Sequence, residues 1–354
     1  MEAATFAVDA PLRLRYVAPA ELARIRALGD PITRAAAFAD ACRVNALSSI
    51  MEAGSGHIGT SFSVMEILSW LHLEVLEGDD AAFSSKGHDA PAVYAVLAGT
   101  GKLDFELLHR LRRLDGLPGH PDIAAVPAVT TNTGSLGMGV SKAKGLARAA
   151  RLADPPARRR VFVVTGDGEL QEGQFWESLG QAANEGFGEI TVIVDHNKIQ
   201  SDTWVEQVSD LGDLEAKVAA FGWATARCDG NDMAAFAATL TDLLEREPER
   251  PKLIVADTVK GSGVELFEPR ALERSGTALY AYHSGAPSPD EYEAALAELL
   301  DRLRERLGRE PEVLEADIPE RARPAAPQKL VAAYGAALAD AAARELRLVA
   351  LDAD

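Results

Sequence analysis

The chain has 354 residues, of which 47% are apolar and 25% are charged, and its formal net charge is −18. The length predicts about two domains, and the apolar content is sufficient for a globular protein with a large core. The negative charge argues against a nucleic-acid-binding surface, which needs clustered Lys and Arg, although local groups and a metal ion can still hold an anionic small molecule.

The N-terminus and the cysteines exclude further classes of protein. Residues 1–19 contain no basic segment followed by an apolar core, so we expect no secretory signal. Because no apolar run approaches about 18 residues, we expect neither a transmembrane helix nor a membrane partner. Cys42 and Cys228 are far apart in the sequence, which argues against a disulfide framework or a cysteine zinc site. The default expectation is a cytoplasmic enzyme or binding protein.

The first half of the chain is predicted to be mainly helical. Residues 19–53 are rich in Ala, Leu, Ile and Arg, and they predict helix with a break near Pro31. A second helical stretch follows a glycine-rich turn and covers residues 64–76. Residues 104–133 contain several prolines and are expected to be irregular, and a helix rich in Gly and Ala is expected at residues 136–152.

The middle of the chain alternates between predicted strands and predicted helices. The strands are Arg160–Thr165, Ile190–Asp195, Ala224–Arg227 and Lys252–Asp257, and the helices between them are residues 172–184, 213–221 and 232–246. This alternation predicts an α/β fold, with a parallel sheet that is covered by helices on both faces.

The C-terminal part of the chain predicts a domain boundary. A charged helix is expected at residues 290–309, and the prolines of residues 311–328 predict a linker. Residues 1–310 therefore form one predicted domain with an N-terminal helical extension. Residues 329–354 predict only one helix and one strand, which is too little for a complete domain.

One predicted strand ends on an unusual polar run, VFVVTGDGELQEGQFW at residues 161–176. Asp167 follows this strand, and Asn197 follows the next one. If the two strands are neighbours, about 4.8 Å apart, the helical connection brings both side chains to the edge where open α/β sheets bind ligands. Carboxylate and amide oxygens suit Mg²⁺ or Ca²⁺, with a backbone carbonyl, water and phosphate as further ligands. Gly166 and Gly168 would let a phosphate approach the backbone closely.

Other interpretations of this segment compete with the metal site. Asp167 alone could cap a helix in a plain turn. A P-loop is excluded because GTGKL at residues 99–103 has Val96 where the first Gly is needed and Leu103 where Ser or Thr is needed. The segment GDGELQEG has Gln171 at the sixth position of G-x-G-x-x-G, so it does not match the dinucleotide motif either.

Several segments together resemble the transketolase family. GDGELQEG at 166–173, followed by DHN at 195–197, resembles the thiamine diphosphate motif. Further segments resemble transketolases in the same order along the chain: SGHIGTSFS at 55–63, SSKGHDAPAVYAVL at 84–97, LPGHPD at 117–122 and TNTGSLGMGVSKAKGLA at 131–147. The resemblance covers residues 35–290 and 329–354, and it implies the thiamine diphosphate-binding fold.

The resemblance implies an activity and a metal site. Transketolases move a two-carbon ketol unit from a ketose phosphate to an aldose phosphate, and thiamine diphosphate supplies the carbanion chemistry. The family pattern assigns the divalent metal, Mg²⁺ or Ca²⁺, to the side chains of Asp167 and Asn197 and to the carbonyl oxygen of Ile199. It also places Gly168 at the diphosphate.

The resemblance extends to other residues of the cofactor cleft. The segment that matches the family's cleft lining consists of Gly134, Ser135, Leu136 and Gly137. Lys260 follows a predicted strand, and two interpretations stay open for it. It either reaches a phosphate group or is a surface lysine in a loop.

The chain has seven histidines, and four of them lie in segments that resemble the family, namely His57, His88, His120 and His283. Singly, each is compatible with a core or turn histidine. Together they suggest a polar ring over a substrate, because imidazoles can donate hydrogen bonds to sugar hydroxyls and move protons near neutral pH. The resemblance places His57 and His283 near the reactive thiazolium carbon, and His88 and His120 near the cofactor and the substrate channel.

The resemblance also implies a second polypeptide region. Glu172 matches a family Glu in an acidic network near the dimer interface, although a Glu at a helix N-terminus also complements the helix dipole. In the family, a second domain holds the aminopyrimidine ring and carries the Glu that activates the cofactor, and only its start resembles residues 329–354. We therefore expect this chain alone to be inactive. It would work with sugar phosphate substrates in a homodimer, or in a heterotetramer with a separate pyrimidine-domain subunit.

Two other functions share part of this pattern. The α-type chain of a 2-oxo-acid dehydrogenase has the same GDG and Asn motif, but the three Gly-His segments speak against it. A non-catalytic transketolase-like partner would keep the fold without the chemistry, and the intact set of metal ligands argues against that function.

Overall fold

The structure is a computed structural model that describes residues 12–269, 279–317 and 330–345. The described residues belong to two units, one that ends at Asp317 and one that lies beyond it. In the second unit, Leu330–Arg344 form a helix, as predicted for the start of residues 329–354. The strand predicted at the very end of the chain lies outside the described residues.

The strands and helices of the first unit are numbered in chain order. The strands are β1 (Arg13–Val17), β2 (Ala81–Ser84), β3 (Val161–Gly166), β4 (Ile190–His196), β5 (Ile199–Gln200), β6 (Thr203–Trp204), β7 (Ala224–Asp229), β8 (Lys252–Asp257) and β9 (Val313–Asp317). The α-helices are α1 (Pro19–Arg26), α2 (Pro31–Ala53), α3 (Ile58–Ser63), α4 (Met65–Trp70), α5 (Ala90–Gly99), α6 (Gly139–Leu152), α7 (Gly173–Asn184), α8 (Val205–Ser209), α9 (Leu214–Ala220), α10 (Met233–Arg246) and α11 (Pro289–Leu307).

A five-stranded parallel sheet forms the centre of this unit, in the order β2-β3-β4-β8-β7. The residues of β3 are all buried, and so are nearly all residues of β4 and β8, because helices cover both faces of the sheet. The predicted α/β fold with a covered parallel sheet is therefore confirmed. The edge strand β2 was not predicted, since four residues are too short to show a hydrophobic period.

The long helix α2 is the main element of the N-terminal extension. The side chain of Asp30 accepts a hydrogen bond from the backbone N–H of Thr33 at 2.7 Å, which caps the first turn. Gly54 adopts the left-handed conformation, with φ 75°, and ends the helix. Most side chains of α2 are buried, so this helix belongs to the core. The predicted break before Pro31 is present.

The predicted linker at residues 311–328 begins differently from the expectation. Residues Val313–Asp317 form β9, which pairs antiparallel with β1 in a separate two-stranded sheet. Since β1 and β9 are about 300 residues apart in sequence, local patterns could not show this pairing. Residues 318–328 of the predicted linker lie outside the described residues. No described helix combines the length and apolarity that are needed to cross a bilayer.

The neighbouring strands β3 and β4 position the predicted site. Their register pairs Val161 with Ile190 and Gly166 with Asp195, so both strands end at the same edge of the sheet. Helix α7 makes the connection between them. The predicted neighbourhood of the two strands is confirmed, and it places Asp167 and Asn197 next to each other.

Candidate active site

A short loop after β4 meets the end of β3 at Asp167. One carboxylate oxygen of Asp167 accepts a hydrogen bond from the backbone N–H of Gly168 at 2.8 Å, and the other accepts one from the backbone N–H of Lys198. The side-chain oxygen of Asn197 accepts from the backbone N–H of Ile199 at 3.1 Å. Lys198 has a positive φ of 71°, which turns the chain so that these groups converge. The structure thus brings Asp167, Asn197 and Ile199 together.

Two buried carboxylates lie side by side at this edge, and only one of them has a cationic partner. Asp195 accepts hydrogen bonds from the Lys86 ammonium and the Ser63 hydroxyl, each at 2.7 Å. Burial opposes ionisation of Asp195, but the Lys86 ammonium prevails and lowers its pKa. Burial and the charge of Asp195 raise the pKa of Asp167, which is 2% exposed. Among the described residues, Asp167 forms no ion pair.

The donor atoms around Asp167 fit a divalent cation. They comprise a carboxylate, an amide oxygen and a backbone carbonyl, the hard oxygen ligands that Mg²⁺ and Ca²⁺ prefer. A cation at Asp167 would offset the negative charge that burial and Asp195 make unfavourable there. Within the described part of the chain, no cluster of three or more His, Cys, Asp or Glu side chains could hold a metal, so this mixed set is the candidate.

Lys260 follows β8, and its side chain lies in the interior of the protein against the loop after β4. Its ammonium donates to the carbonyl oxygen of Ile199 at 3.0 Å and to that of Ser201 at 2.9 Å. The side chain is 2% exposed, and burial lowers its pKa to about 8, although the nearby Asp167 charge acts in the opposite direction. The interpretation of Lys260 as a surface lysine is therefore wrong.

The glycine-rich segment at residues 134–137 lies against the histidine-bearing loops. Gly134 and Gly137 have φ values of 109° and 78°, in the region that favours glycine. A Cβ on Gly134 would lie 2.9 Å from the His120 ring, so only glycine permits this approach. Ser135 is exposed and Leu136 is half-buried between the two glycines.

Sequence reasoning missed the buried carboxyl that links this segment to the end of β3. Glu169 accepts hydrogen bonds from the backbone N–H of Gly137 at 2.8 Å, from that of Gly166 at 3.3 Å, and from the Ser85 hydroxyl. Burial raises its pKa to about 7 despite these donors. The predicted residue Glu172 is instead exposed at the start of α7. No local sequence signal separates the two glutamates.

Three of the four predicted histidines form a compact cluster. The ring centroids of His57 and His88 are 5.2 Å apart, those of His57 and His283 are 5.0 Å apart, and those of His88 and His283 are 6.3 Å apart. His120 is exposed beside the 134–137 segment, and its charge would act on His57. The structure therefore brings three of the four predicted histidines together and places His120 apart from them, against Gly134.

The hydrogen-bond partners fix the protonation of two of these rings. Arg112 lies 3.3 Å from Nδ1 of His57, and because a guanidinium only donates, Nδ1 is the acceptor and Nε2 carries the proton. Nδ1 of His88 lies 3.1 Å from the carbonyl oxygen of Lys86, so here Nδ1 is the donor. Burial lowers the pKa of His57 to about 3 and that of His88 well below its usual value. The cluster thus offers one Nε2–H donor and one Nε2 acceptor.

Comparison with known proteins identifies the family of the chain. Residues 34–282 match the family model for the thiamine diphosphate-binding domain of transketolase. The chain is 35% identical to an apulose-4-phosphate transketolase subunit of Actinobacillus succinogenes, over 70% of this chain and 88% of that protein. It is 32% identical to a 6-deoxy-6-sulfo-D-fructose transketolase subunit of Clostridium sp. strain MSTE9, over 74% of this chain and 94% of that protein.

A solved structure gives the same result at the level of the fold. The transketolase of Leishmania mexicana superposes with a TM-score of 0.66 and 25% identity, over 82% of this chain but only 42% of that one. The match therefore covers less than half of that longer enzyme. The family model spans well over half of the present chain, and its matched residues include β2, β3, β4, β8, His57 and His88. The chain belongs to the transketolase family and contains its thiamine diphosphate-binding domain.

Proposed function

We propose that this chain supplies the metal- and diphosphate-binding half of an active site that transfers a two-carbon ketol unit from a ketose donor to an aldose acceptor. One observation supports this most strongly. The backbone N–H of Lys198 donates to Asp167, and this hydrogen bond joins the ends of two neighbouring strands, β3 and β4. Family membership supplies the reaction class, and the relatives named above are transketolase subunits.

In this proposal, the groups at the sheet edge hold the cofactor. Asp167, Asn197 and the carbonyl of Ile199 bind Mg²⁺ or Ca²⁺. The diphosphate lies against the remaining predicted residues, which are Gly134, Ser135, Leu136, Gly137, Gly166, Gly168 and Lys260. When bound, thiamine diphosphate supplies the stabilised carbanion that ketol transfer needs. Glu169 keeps the two glycine-containing segments at a fixed distance through its hydrogen bonds to Gly137 and Gly166.

The histidine cluster binds and orients the sugar. His57 presents an Nε2–H donor to a substrate oxygen, and His88 presents an Nε2 acceptor to a substrate hydroxyl. Because the pKa of His57 is lowered to about 3, the ring is neutral at physiological pH and can take up a proton only transiently. His120 and His283 complete the polar lining.

A second polypeptide region is required in this proposal. Two relatives are named as subunits, so we favour a heterotetramer with a separate pyrimidine-domain subunit over a homodimer of this chain. The exposed Glu172 is available for contact with that subunit. The relatives' names include apulose 4-phosphate and 6-deoxy-6-sulfo-D-fructose, which suggests a donor ketose that carries a terminal anionic group. We also propose a cytoplasmic location.

The proposal is tested by calorimetric titration of the full chain with thiamine diphosphate, with and without Mg²⁺. We expect binding that requires Mg²⁺ and that Asp167→Ala weakens at least tenfold. Asp242→Ala is the matched control, since Asp242 is an exposed carboxylate that pairs with Arg246 on α10, and it should bind like the wild type. Binding of equal strength in Asp167→Ala, or binding without any metal, would contradict the proposal.

A further inference from the structure

The ammonium of Lys260 is held as a cation by two backbone carbonyls of one turn. The distances from Nζ to the oxygens of Ile199 and Ser201 are 3.0 and 2.9 Å. Its stem is confined by Gly59, at which a Cβ would lie 2.8 Å from Cγ of Lys260, and by the Tyr280 ring, whose centroid lies 5.1 Å from Nζ. This side chain therefore has a defined position, unlike a lysine at the surface.

One of the two carbonyls is also the proposed metal ligand. The oxygen of Ile199 accepts a hydrogen bond from the Lys260 ammonium at 3.0 Å, and a divalent cation bound to that oxygen would bring a second positive charge close to the first. Like charges at such short range repel strongly in a site that excludes water. The ammonium and the metal ion therefore compete for the same oxygen.

Three carboxylates offset part of the effect of burial, which disfavours the charged form of Lys260 and lowers its pKa to about 8. Asp167, Asp195 and Asp202 act on it as negative groups, and Lys86 acts as a positive one. Lys86 is already paired with Asp195 at 2.7 Å. Among the described residues, Asp167 and Lys260 form no direct ion pair, but the charge of Asp167 favours the ammonium form of Lys260.

We propose that Lys260 is the resident cation of the metal-free site: its ammonium holds the Ile199 carbonyl until a divalent metal displaces it, and the released ammonium then contributes to binding of the anionic diphosphate. This inference rests on the proposed function, because it takes Asp167, Asn197 and Ile199 as the metal ligands. It predicts that replacing Lys260 changes the affinity for the metal and the affinity for the diphosphate in opposite directions. Removing the ammonium favours the metal alone and disfavours the diphosphate.

The experiment measures Mn²⁺ binding to the full chain by electron paramagnetic resonance, first without thiamine diphosphate. In Lys260→Met, the dissociation constant for Mn²⁺ should fall about tenfold, in line with the loss of a competing charge-assisted hydrogen bond. The dissociation constant for thiamine diphosphate at saturating Mn²⁺ should rise about tenfold or more. Lys260→Gln keeps a neutral hydrogen-bond donor and should also lower the dissociation constant for Mn²⁺ and raise that for thiamine diphosphate. It replaces the Met variant in the experiment if that variant does not fold.

Lys252→Met is the matched control. Lys252 is a buried lysine at the opposite end of β8, and its ammonium also donates to two backbone carbonyls, those of Gly188 at 2.7 Å and Arg250 at 2.9 Å. Its replacement should leave both constants within about twofold of the wild type.

The outcomes separate the inference from the proposed function. If the wild type binds Mn²⁺ and thiamine diphosphate, but both Lys260 variants bind Mn²⁺ with unchanged or lower affinity, the resident-cation role is wrong and the metal site stands. If the wild type binds no Mn²⁺, the proposed metal site is wrong and the inference fails with it. Tighter Mn²⁺ binding in Lys252→Met as well would also overturn the inference, since the gain would not be specific to the Ile199 carbonyl.

Discussion

The loop at the end of β4 and the histidine cluster both contain buried polar side chains, but the two regions differ in how burial affects the charge of those side chains. At the end of β4, the buried carboxylate of Asp195 is balanced by the ammonium of Lys86, which lies two residues beyond the end of β2. In the cluster, His57 and His88 come from loops and helix starts, and burial keeps them uncharged. The proposed metal site therefore depends on the pairing of opposite charges. The histidine cluster depends instead on the neutral state of the His57 and His88 rings.

The comparison predicts that breaking the charge balance has the largest effect on stability. Lys86 is buried and pairs with Asp195 at 2.7 Å and with Asp89 at 3.3 Å. Lys86→Met would leave both carboxylates without their cation, so we expect a loss of about 3–5 kcal/mol in the free energy of unfolding. Urea denaturation of the full chain measures this change in the free energy of unfolding. Lys102→Met, at an exposed position, should cost less than about 0.5 kcal/mol. Equal stability of the two variants would show that the buried pair is dispensable.

A smaller effect concerns Glu169, which connects the 134–137 segment to the end of β3. Burial raises its pKa to about 7 from a usual 4.5. In the folded state Glu169 therefore binds a proton more readily than in the unfolded state, so its contribution to stability falls as the pH rises from 4.5 through 7. The full loss is on the order of 3 kcal/mol. Urea denaturation between pH 5 and 8 should show this slope in the wild type and a flatter profile in Glu169→Gln. Identical slopes would contradict the assigned shift.

The histidines allow a test of the uncharged side of the site. Because burial lowers the pKa of His57 to about 3, this ring should not titrate between pH 5 and 8, and His88 should titrate well below the ordinary pKa of a histidine. Their contribution to stability is complete above pH 6.5 and is lost as the pH falls towards the folded-state pKa. His109 is the internal control, since its hydrogen bond to Glu52 raises its pKa. Nuclear magnetic resonance of the imidazole signals measures all three, and a His57 midpoint near 6.5 would show that the cluster is charged.

The smallest predicted effect is a change of tautomer. Arg112→Met removes the donor that lies 3.3 Å from Nδ1 of His57. We expect a larger fraction of the Nδ1–H form of His57 in ¹⁵N spectra, with a change in stability below about 0.5 kcal/mol, because Arg112 is only half-buried. Arg110→Met, at a more exposed arginine on the same segment, should leave the His57 spectrum unchanged. An unaltered tautomer in Arg112→Met would mean that other contacts fix the ring.

The two sides of the site also differ in what the sequence could predict. Asp167 and Asn197 follow two consecutive strands, and the rule that parallel strands end at one edge was enough to bring them together. The four histidines have no such spacing rule, and only the resemblance to a family grouped them. The compact arrangement of His57, His88 and His283 depends on contacts between loops, which no local sequence period encodes.

The residues that balance the charges could not be predicted at all. Lys86 and Asp195 are 109 residues apart and meet only because β2 adds to the edge of the sheet beside β3. Glu169 and Glu172 look alike in sequence, and only tertiary packing buries the first and exposes the second. Long-range pairing and burial, and not local propensity, decide these roles.

The central claim is that the ends of β3 and β4 form the metal site, and anomalous X-ray diffraction from crystals of the full chain grown with Mn²⁺ and thiamine diphosphate tests it most directly. The account predicts one strong manganese peak in contact with the side-chain oxygens of Asp167 and Asn197 and the carbonyl oxygen of Ile199. A manganese peak bound by other residues, or cofactor density with no metal at Asp167, would contradict it.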